Sequence, residues 1–152
     1  MNIFDELKKE HRVQRDLMTK ILETHGESKR RIQLFGELKQ SLQAHAKAEE
    51  RYFYKRLIDF DETQEEARHS IAEHKELDDF IEELEDTDMS SNAWLMTFKH
   101  LAERLHHHLD EEEEEFFPTA EDVLSESEQQ KLGRSYRESI EEDTSSSPAT
   151  AA

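Results

Sequence analysis

Large apolar residues recur at helical spacing along most of the chain. In one segment Phe35, Leu38 and Leu42 follow one another in steps of three and four residues, and His45 and Glu49 continue the same stripe. This spacing places the side chains on one helix face and is typical of a bundle interior. Stripes of this kind, separated by turn signals, predict four helices with approximate ranges 2–23, 29–60, 63–85 and 92–117. Pro118 is predicted to end the last of them.

Four helices with short connections favour an all-α fold, an antiparallel bundle of up-down-up-down topology. A thin apolar face over about residues 121–140 predicts a short additional C-terminal helix. We expect a single domain over residues 1–142, because 152 residues suffice for one core but not for two. The stretch 143–152, rich in Ser, Thr and Ala, is predicted to be a disordered tail.

The two halves of the chain repeat one another at an offset of 63 residues. The offset relates both chemically distinctive and apolar residues, namely His11 and His74, His45 and His108, Glu49 and Glu112, Phe35 and Phe98, and Leu42 and Leu105. A fixed offset that carries histidines, glutamates and core residues together indicates a duplicated unit. The segments at about 3–60 and 63–118 are therefore interpreted as two copies of one helical hairpin.

Histidine and glutamate interrupt the inward stripes of this predicted bundle. A histidine and a glutamate four residues apart, such as His45 and Glu49, lie on the same helix face one turn apart. Burying such carboxylates and imidazoles at one level without a cation would cost several kcal/mol per charge. The pattern therefore predicts a two-metal site. Its predicted ligands are His11 and His45 at one metal, His74 and His108 at the other, and Glu49 and Glu112 as bridges.

Neighbouring residues offer alternatives to this ligand set. Glu50 and Glu113 each lie one residue off the stripe and could supply a carboxylate instead, and Tyr54 could act as a redox or hydrogen-bonding partner. The other histidines are expected to be solvated or to lie behind the ligands: His25, His69, His100, His106 and His107. Glu10 and Glu73 are expected to be exposed, with the alternative that either orients a ligating imidazole.

Composition narrows the possible partners. A net charge of −18 repels phosphate backbones and anionic membranes, so neither nucleic acid nor a membrane is expected as a partner. Residues 1–13 lack the apolar stretch of a signal peptide, and no run is long enough to span a membrane, so a cytoplasmic location is expected. The absence of cysteine excludes thiolate and iron–sulfur sites. Any metal must be held by nitrogen and oxygen.

A doubled motif carries a family resemblance. Two Glu-His pairs, Glu10-His11 and Glu73-His74, are each followed by His-x-x-x-Glu-Glu-x-x-aromatic-aromatic, once from His45 and once from His108. Over about residues 3–118 the chain thereby resembles the hemerythrin-type HHE cation-binding family. The resemblance implies a non-haem centre of two iron ions, with or without an oxo or hydroxo bridge, which binds oxygen or a related small ligand.

The resemblance is not to the oxygen carriers of that family. Oxygen-carrying hemerythrins are similar except that their third helix supplies a second histidine one turn before the position of His74, where this chain has Ser70. With two histidines for each metal, the site resembles the symmetric centres of HHE proteins linked to iron-centre repair and stress more than that of a dedicated oxygen carrier.

Three functions stay open at this point. The first is binding or sensing of dioxygen or nitric oxide at the di-iron centre. The second is a di-iron stress enzyme that acts on peroxide or serves in iron-centre repair or iron donation. The third gives the metals a purely structural role. In the first two the expected partners are small ligands, and the chain is expected to be a monomer or a weak oligomer.

Overall fold

The computed structural model describes residues 1–145, which form helices and connecting turns and contain no strand. In chain order the helices are α1 (Ile3–Leu22), α2 (Lys29–Ala48), the π-helical segment π1 (Glu49–Tyr54), α3 (Lys55–Leu57), α4 (Gln64–Glu85), α5 (Asn92–Glu111), the π-helical segment π2 (Glu112–Phe116), α6 (Phe117–Val123) and α7 (Glu126–Ser145). The predicted all-α class is confirmed. Within residues 1–145 no helix combines the length and apolar character that crossing a membrane requires.

Local sequence signals explain where the long helices begin. Asn2 caps α1, because its side chain accepts the Asp5 N–H at 2.9 Å while the Asp5 carboxylate accepts the Asn2 N–H at 3.2 Å. Ser28 and Ser91 cap α2 and α5 by accepting the N–H three residues further on. Gly26, with a φ of 60°, forms the turn between α1 and α2.

The fourth predicted helix does not end at Pro118, so that prediction is wrong. Pro118 lies in the first turn of α6, directly after π2. The Phe117 N–H bonds to the Glu112 carbonyl five residues back, so the backbone register has already changed where the proline stands. Proline has no N–H and is tolerated in the first turn of a helix. The chain therefore continues as helix to Val123.

The additional C-terminal helix begins and ends later than predicted. Leu124 is extended, and α7 starts after Ser125, whose hydroxyl accepts the Glu128 N–H at 3.1 Å. The helix continues to Ser145, so residues 143–145 are helical and do not belong to a disordered tail. The remainder of the predicted tail, 146–152, lies outside the described residues.

The helices enclose two apolar clusters. In the sequential pairs α1 packs against α2 and α4 against α5, and between the pairs α1 contacts α5 and α2 contacts α4. We call the first cluster the Trp94 core, which includes Phe35, Leu38 and Phe98, and the second the Phe53 core. The Phe53 core includes Ile3, Leu7, Tyr54, Phe116, Phe117 and Tyr136. In α1 and α4 the chain passes from the Phe53 core to the Trp94 core, and in α2 and α5 it passes in the other direction.

Helix α7 packs on α1, α2 and π1 and approaches the start of the chain closely. A Cβ atom at Gly133 would lie 2.7 Å from the backbone oxygen of Met1 and 2.8 Å from the carbonyl carbon of Asn2. We therefore expect Gly133→Ala to lower the free energy of unfolding by about 1–3 kcal/mol, measured by chemical denaturation.

Gly36→Ala is the matched control for this substitution. Gly36 also lies within a helix, but a Cβ there would meet no atom within 4 Å. Since alanine restricts the unfolded chain and favours helix, the control should raise the free energy of unfolding by up to about 1 kcal/mol. Equal effects of the two substitutions would show that α7 does not pack tightly against residues 1–3.

Candidate metal centre

The six predicted ligands are all buried and lie at one level, between the Trp94 core and the Phe53 core. Their residues are at most 5% exposed. The four histidines come from four different helices, and the two glutamates are the first residues of π1 and π2: His11 from α1, His45 from α2, His74 from α4, His108 from α5, and Glu49 and Glu112. The structure therefore brings together the complete predicted set.

Each glutamate lies between histidines of both hairpins. The distances from carboxylate Oε1 to imidazole Nε2 are, for Glu49, 3.1 Å to His45 and 3.1 Å to His74, and, for Glu112, 3.2 Å to His11 and 3.9 Å to His108. A carboxylate in this position can contribute an oxygen to each of two ions. Glu49 thus has the placement that the sequence predicts for a bridging ligand, whereas Glu112 lies nearer to His11 than to His108.

Many of these buried atoms have no hydrogen-bond partner. Apart from the imidazole–carboxylate contacts given above, the atoms without a partner are Oε1 and Oε2 of Glu49, Oε1 of Glu112, and Nε2 of His11, His45 and His108. A buried polar atom without a partner costs about 1–3 kcal/mol. Coordination of cations would satisfy all of them at once, so the donor set fits a pair of metal ions.

The ligand atoms fall into two groups that are compact enough to share one ion each. The first group is His11, His45, Glu49 and Glu112, and the second is Glu49, His74 and His108. The histidines divide between the groups as the sequence predicts. Glu49 belongs to both groups, and this makes it the principal link between the two positions.

The second ring nitrogen of each histidine contacts another polar side chain, which fixes the ring and leaves Nε2 for a metal. These contacts of Nδ1 are, for His11, Glu113 Oε2 at 2.6 Å, for His74, Glu50 Oε2 at 2.8 Å, for His108, Glu73 Oε1 at 2.8 Å, and for His45, Tyr136 Oη at 2.6 Å. Glu50 and Glu113, considered above as alternative ligands, therefore contact the outer side of the imidazoles.

Glu73 is buried, contrary to the expectation that it is exposed. Its carboxylate turns inward because it accepts a hydrogen bond from His108. The alternative role, orientation of a ligating imidazole, is the one its contact supports. Glu10 is the counterpart of Glu73 in the repeat, but the Nδ1 atom of His45 contacts Tyr136 instead of Glu10.

Tyr136 breaks the twofold relation between the hairpins. The repeat relates the contact of His11 with Glu113 to that of His74 with Glu50, but α7, which carries Tyr136, has no counterpart in the repeat. Nothing in the sequence marks Tyr136 beyond its place on the thin apolar face of the last helix. Tyr136 is the residue in contact with this centre that sequence reasoning missed.

We expect Tyr136→Phe to weaken metal binding by about 10–100-fold, the usual effect of losing such a supporting hydrogen bond. The phenyl ring keeps the packing of α7, while Nδ1 of His45 loses its partner. Competition with a chromophoric chelator measures the affinity. Tyr52→Phe, outside these contacts, is the control and should leave the affinity unchanged. Equal affinities in the two variants would mean that Tyr136 only packs.

Tyr54 brings a phenolic hydroxyl to the centre. It donates a hydrogen bond to Glu112 Oε2 and lies 3.4 Å from Nε2 of His74. Burial raises the pKa of Tyr54 well above its usual value, and the charges of Glu112 and Glu49 raise it further. The hydroxyl therefore stays protonated at neutral pH and can serve as a donor inside the site.

Protons balance the carboxylates in the metal-free protein. Burial disfavours protonation of His11 and His74, but the adjacent carboxylates outweigh burial and raise the pKa to about 9 for His11 and about 10 for His74. Burial would raise the pKa of Glu49, but His45 and His74 hold it well below its usual value. Cations can therefore replace protons here with little change in the balance of charge.

A narrow cavity lies beside the centre. Three of the histidines line it together with two polar and several apolar side chains, namely His45, His74, His108, Gln14, Asp78, Leu42, Leu77, Ile81 and Leu105. Its free volume of about 10 Å³ is close to what one water molecule needs. The cavity therefore has room for a ligand about the size of one water molecule.

Known proteins share this combination of fold and motif. The family model described as hemerythrin HHE cation binding domain matches residues 2–120. The crystal structure of a hemerythrin HHE cation binding domain-containing protein from Mycobacterium kansasii is similar, with 27% sequence identity, a TM-score of 0.87, and coverage of 96% of this chain and 89% of that chain. Among curated proteins none matches significantly. The matched residues contain all six predicted ligands, and the chain belongs to the hemerythrin HHE cation-binding domain family.

Proposed function

We propose that this protein holds two iron ions and binds or senses dioxygen or nitric oxide in the cavity beside them. The observation that carries the proposal is the convergence of buried, unpartnered imidazole and carboxylate atoms on two positions that share Glu49. Nitrogen and oxygen donors suit iron, manganese and zinc alike. The hemerythrin-like motif favours iron, and a free volume of about 10 Å³ favours a diatomic ligand.

The frame that we infer for this site is an antiparallel four-helix bundle. The alternating passage of α1, α2, α4 and α5 between the Trp94 core and the Phe53 core supports the up-down-up-down topology. In such a frame every helix contributes one histidine at the same level. The two apolar cores then close the site above and below.

Each part of the site has a role in this function. Two bound iron ions would supply a ligand with two electrons from one site. Glu113, Glu50 and Glu73 hold three of the imidazoles in place, and Tyr136 holds the fourth. The apolar side chains of the cavity restrict water, and Tyr54 offers a hydrogen bond.

Anaerobic loading with ferrous iron followed by exposure to oxygen tests the proposal. We expect two iron ions per chain and a charge-transfer absorption band that appears with oxygen and disappears on degassing. His74→Ala should lose the band, whereas His100→Ala, an exposed histidine outside the centre, should keep it. A protein that holds two iron ions but shows no spectral response to oxygen or nitric oxide would contradict the proposal.

Tyr54 favours a second candidate function, the consumption of peroxide. In the disproportionation of hydrogen peroxide, two molecules give two waters and one O2: one molecule has its O–O bond broken and takes up the two electrons and two protons that the other gives up. A positioned general acid speeds such proton transfers about 10²–10⁴-fold. Tyr54 is a buried, protonated hydroxyl in contact with Glu112. If Glu112 Oε2 binds a metal instead, the single hydroxyl hydrogen of Tyr54 becomes available to a peroxide ligand.

Comparison of Tyr54→Phe with Tyr52→Phe tests this second function. The iron-loaded wild-type protein should consume peroxide faster than free iron, and Tyr54→Phe should lower the rate at least about 10²-fold without loss of iron. Tyr52→Phe should keep the wild-type rate. If the iron-loaded wild-type protein consumes peroxide no faster than free iron, peroxide is not its substrate, and the binding of a small ligand remains the proposed function.

A further inference from the structure

We propose that His69, Glu73 and Glu111 form an outer site that captures a divalent transition-metal ion at the surface and passes it to the buried centre. The inference rests on the proposed function, because it supplies that centre with its metal. The three side chains offer ligand atoms that all lie within 4.8 Å of one another. One imidazole and two carboxylates are donors that suit ferrous iron, manganese or zinc.

The distances within the outer site are longer than good hydrogen bonds and close to the separation of ligands that share one ion. Nε2 of His69 lies 3.5 Å from Oε2 of Glu73 and 3.5 Å from Oε1 of Glu111. Good N–H···O hydrogen bonds are about 2.7–3.2 Å long. Neighbouring ligands that each lie about 2.1 Å from one ion are about 3.0–3.4 Å apart. The other carboxylate oxygen of Glu111, Oε2, contacts Nε2 of His107 at 3.1 Å and lies outside this group.

The outer site leads inward. The exposed fraction of the side chain falls from 54% at His69 to 30% at Glu111, 10% at Glu73 and 2% at His108. Glu73 faces both sites, because Oε2 lies towards His69 and Oε1 contacts His108. A cavity of about 10 Å³ is lined by these four residues and by Glu112.

The inner end of this cavity presents ligand atoms without partners. Nε2 of His108 and Oε1 of Glu112 are buried and make no hydrogen bond, and both residues line the cavity. An ion that leaves the outer site would therefore meet donors of the centre directly. The carboxylate of Glu73 stands at the boundary and could hold the ion during the passage.

The first hairpin has no such site. The offset of 63 residues places Glu6 at the position of His69 and Ala48 at the position of Glu111. The first hairpin therefore lacks the imidazole and one of the two carboxylates. On that side α7 covers α1, α2 and π1, and Glu6 accepts a hydrogen bond of 2.6 Å from Arg137. The outer site thus occupies the face of the repeat that α7 leaves open.

Negative charge surrounds the outer site. Burial raises the pKa of Glu66, which lines the same cavity, and the carboxylates of Glu115, Glu111 and Glu65 raise it further. Burial is the larger cause, and the contribution of the three carboxylates reflects the negative charge around the site. A negative field at a partly closed entrance attracts cations and accelerates their association about 10–10³-fold.

Two measurements test the outer site, with His69→Ala as the variant and His100→Ala as the matched control. The first is calorimetric titration of the metal-free protein with Zn²⁺. We expect three ions per chain in the wild-type protein and the control, the third bound more weakly, and two in His69→Ala. The second is the rate of anaerobic Fe²⁺ uptake at low iron concentration, which should fall about tenfold in His69→Ala, while the final content stays at two.

The outcomes separate this proposal from the proposed function. Only two Zn²⁺ ions in the wild-type protein, or an uptake rate that His69→Ala leaves unchanged, would overturn the outer capture site. A single Zn²⁺ ion that is lost with His69→Ala would support the outer site and contradict the dinuclear centre. A single ion that His69→Ala does not affect would overturn the outer site.

Discussion

Glu49→Ala and Glu112→Ala should each reduce the iron content of the loaded protein from two ions per chain to one or none. Oε1 of Glu49 lies 3.1 Å from Nε2 of His45 and 3.1 Å from Nε2 of His74, which belong to different metal positions. Its removal therefore takes a ligand from both ions at once. Metal analysis by inductively coupled plasma mass spectrometry gives the ratio of iron to protein.

The two substitutions should differ in severity. Glu49 belongs to both groups of ligand atoms, whereas Glu112 belongs to one and lies 3.9 Å from His108. Glu49→Ala should therefore lose more metal. Because a ligand at 100 times its Kd stabilises a protein by about 2.7 kcal/mol, the thermal midpoint of the iron-loaded sample should fall as well.

Glu114→Ala is the matched control for these variants. Glu114 lies in π2, two residues from Glu112, but its side chain is exposed. It should keep two ions and the wild-type midpoint. Two ions per chain in both Glu49→Ala and Glu112→Ala would show that the bridging assignment is wrong.

The helices and the burial of the six predicted ligands could be predicted because both follow from local periodicity. A histidine and a glutamate on an apolar stripe must face the interior wherever the helix forms, and the repeat shows the arrangement twice. The structure places His45 and Glu49, like His108 and Glu112, at the same buried level. No knowledge of long-range contacts is needed for that step.

The π-helical segments could not be predicted in this way. An α-helical period continues the stripe of His45 and Glu49 to Tyr52, but Tyr52 is only partly buried while Phe53 and Tyr54 are completely buried. π1 begins at Glu49 and adds one residue to the turn, so the inward face moves on by one position. The extra residue also explains how Tyr54 reaches Glu112.

Contacts between distant segments were the other part that the sequence did not reveal. Tyr136 lies 91 residues from His45 along the chain, and neither residue type nor spacing predicts that they meet. His69 and Glu111 come from different helices, and their proximity depends on how α4 packs against α5. Pairs of this kind require tertiary geometry, which a single sequence does not contain.

Loading the metal-free protein with two divalent ions at pH 7 should release about two protons per chain. The pKa is raised to about 9 for His11 and about 10 for His74, so both imidazoles carry an extra proton at pH 7. Each must lose the proton on Nε2 to bind a metal, while Nδ1 keeps its hydrogen for Glu113 or Glu50. Calorimetry in two buffers of different ionisation enthalpy measures the number of protons.

The same pKa shifts predict how stability depends on pH. Unfolded histidine has a pKa of about 6.5, so protonation of His11 and His74 stabilises the folded metal-free protein fully below about pH 6.5. This stabilisation is lost as the pH rises through 9 and 10. The thermal midpoint of the metal-free protein should therefore fall between pH 7 and pH 10, and proton release on loading should shrink towards zero over the same range. No proton release at pH 7 would mean that both imidazoles are already neutral, and that the buried carboxylates are balanced in some other way before the metals bind.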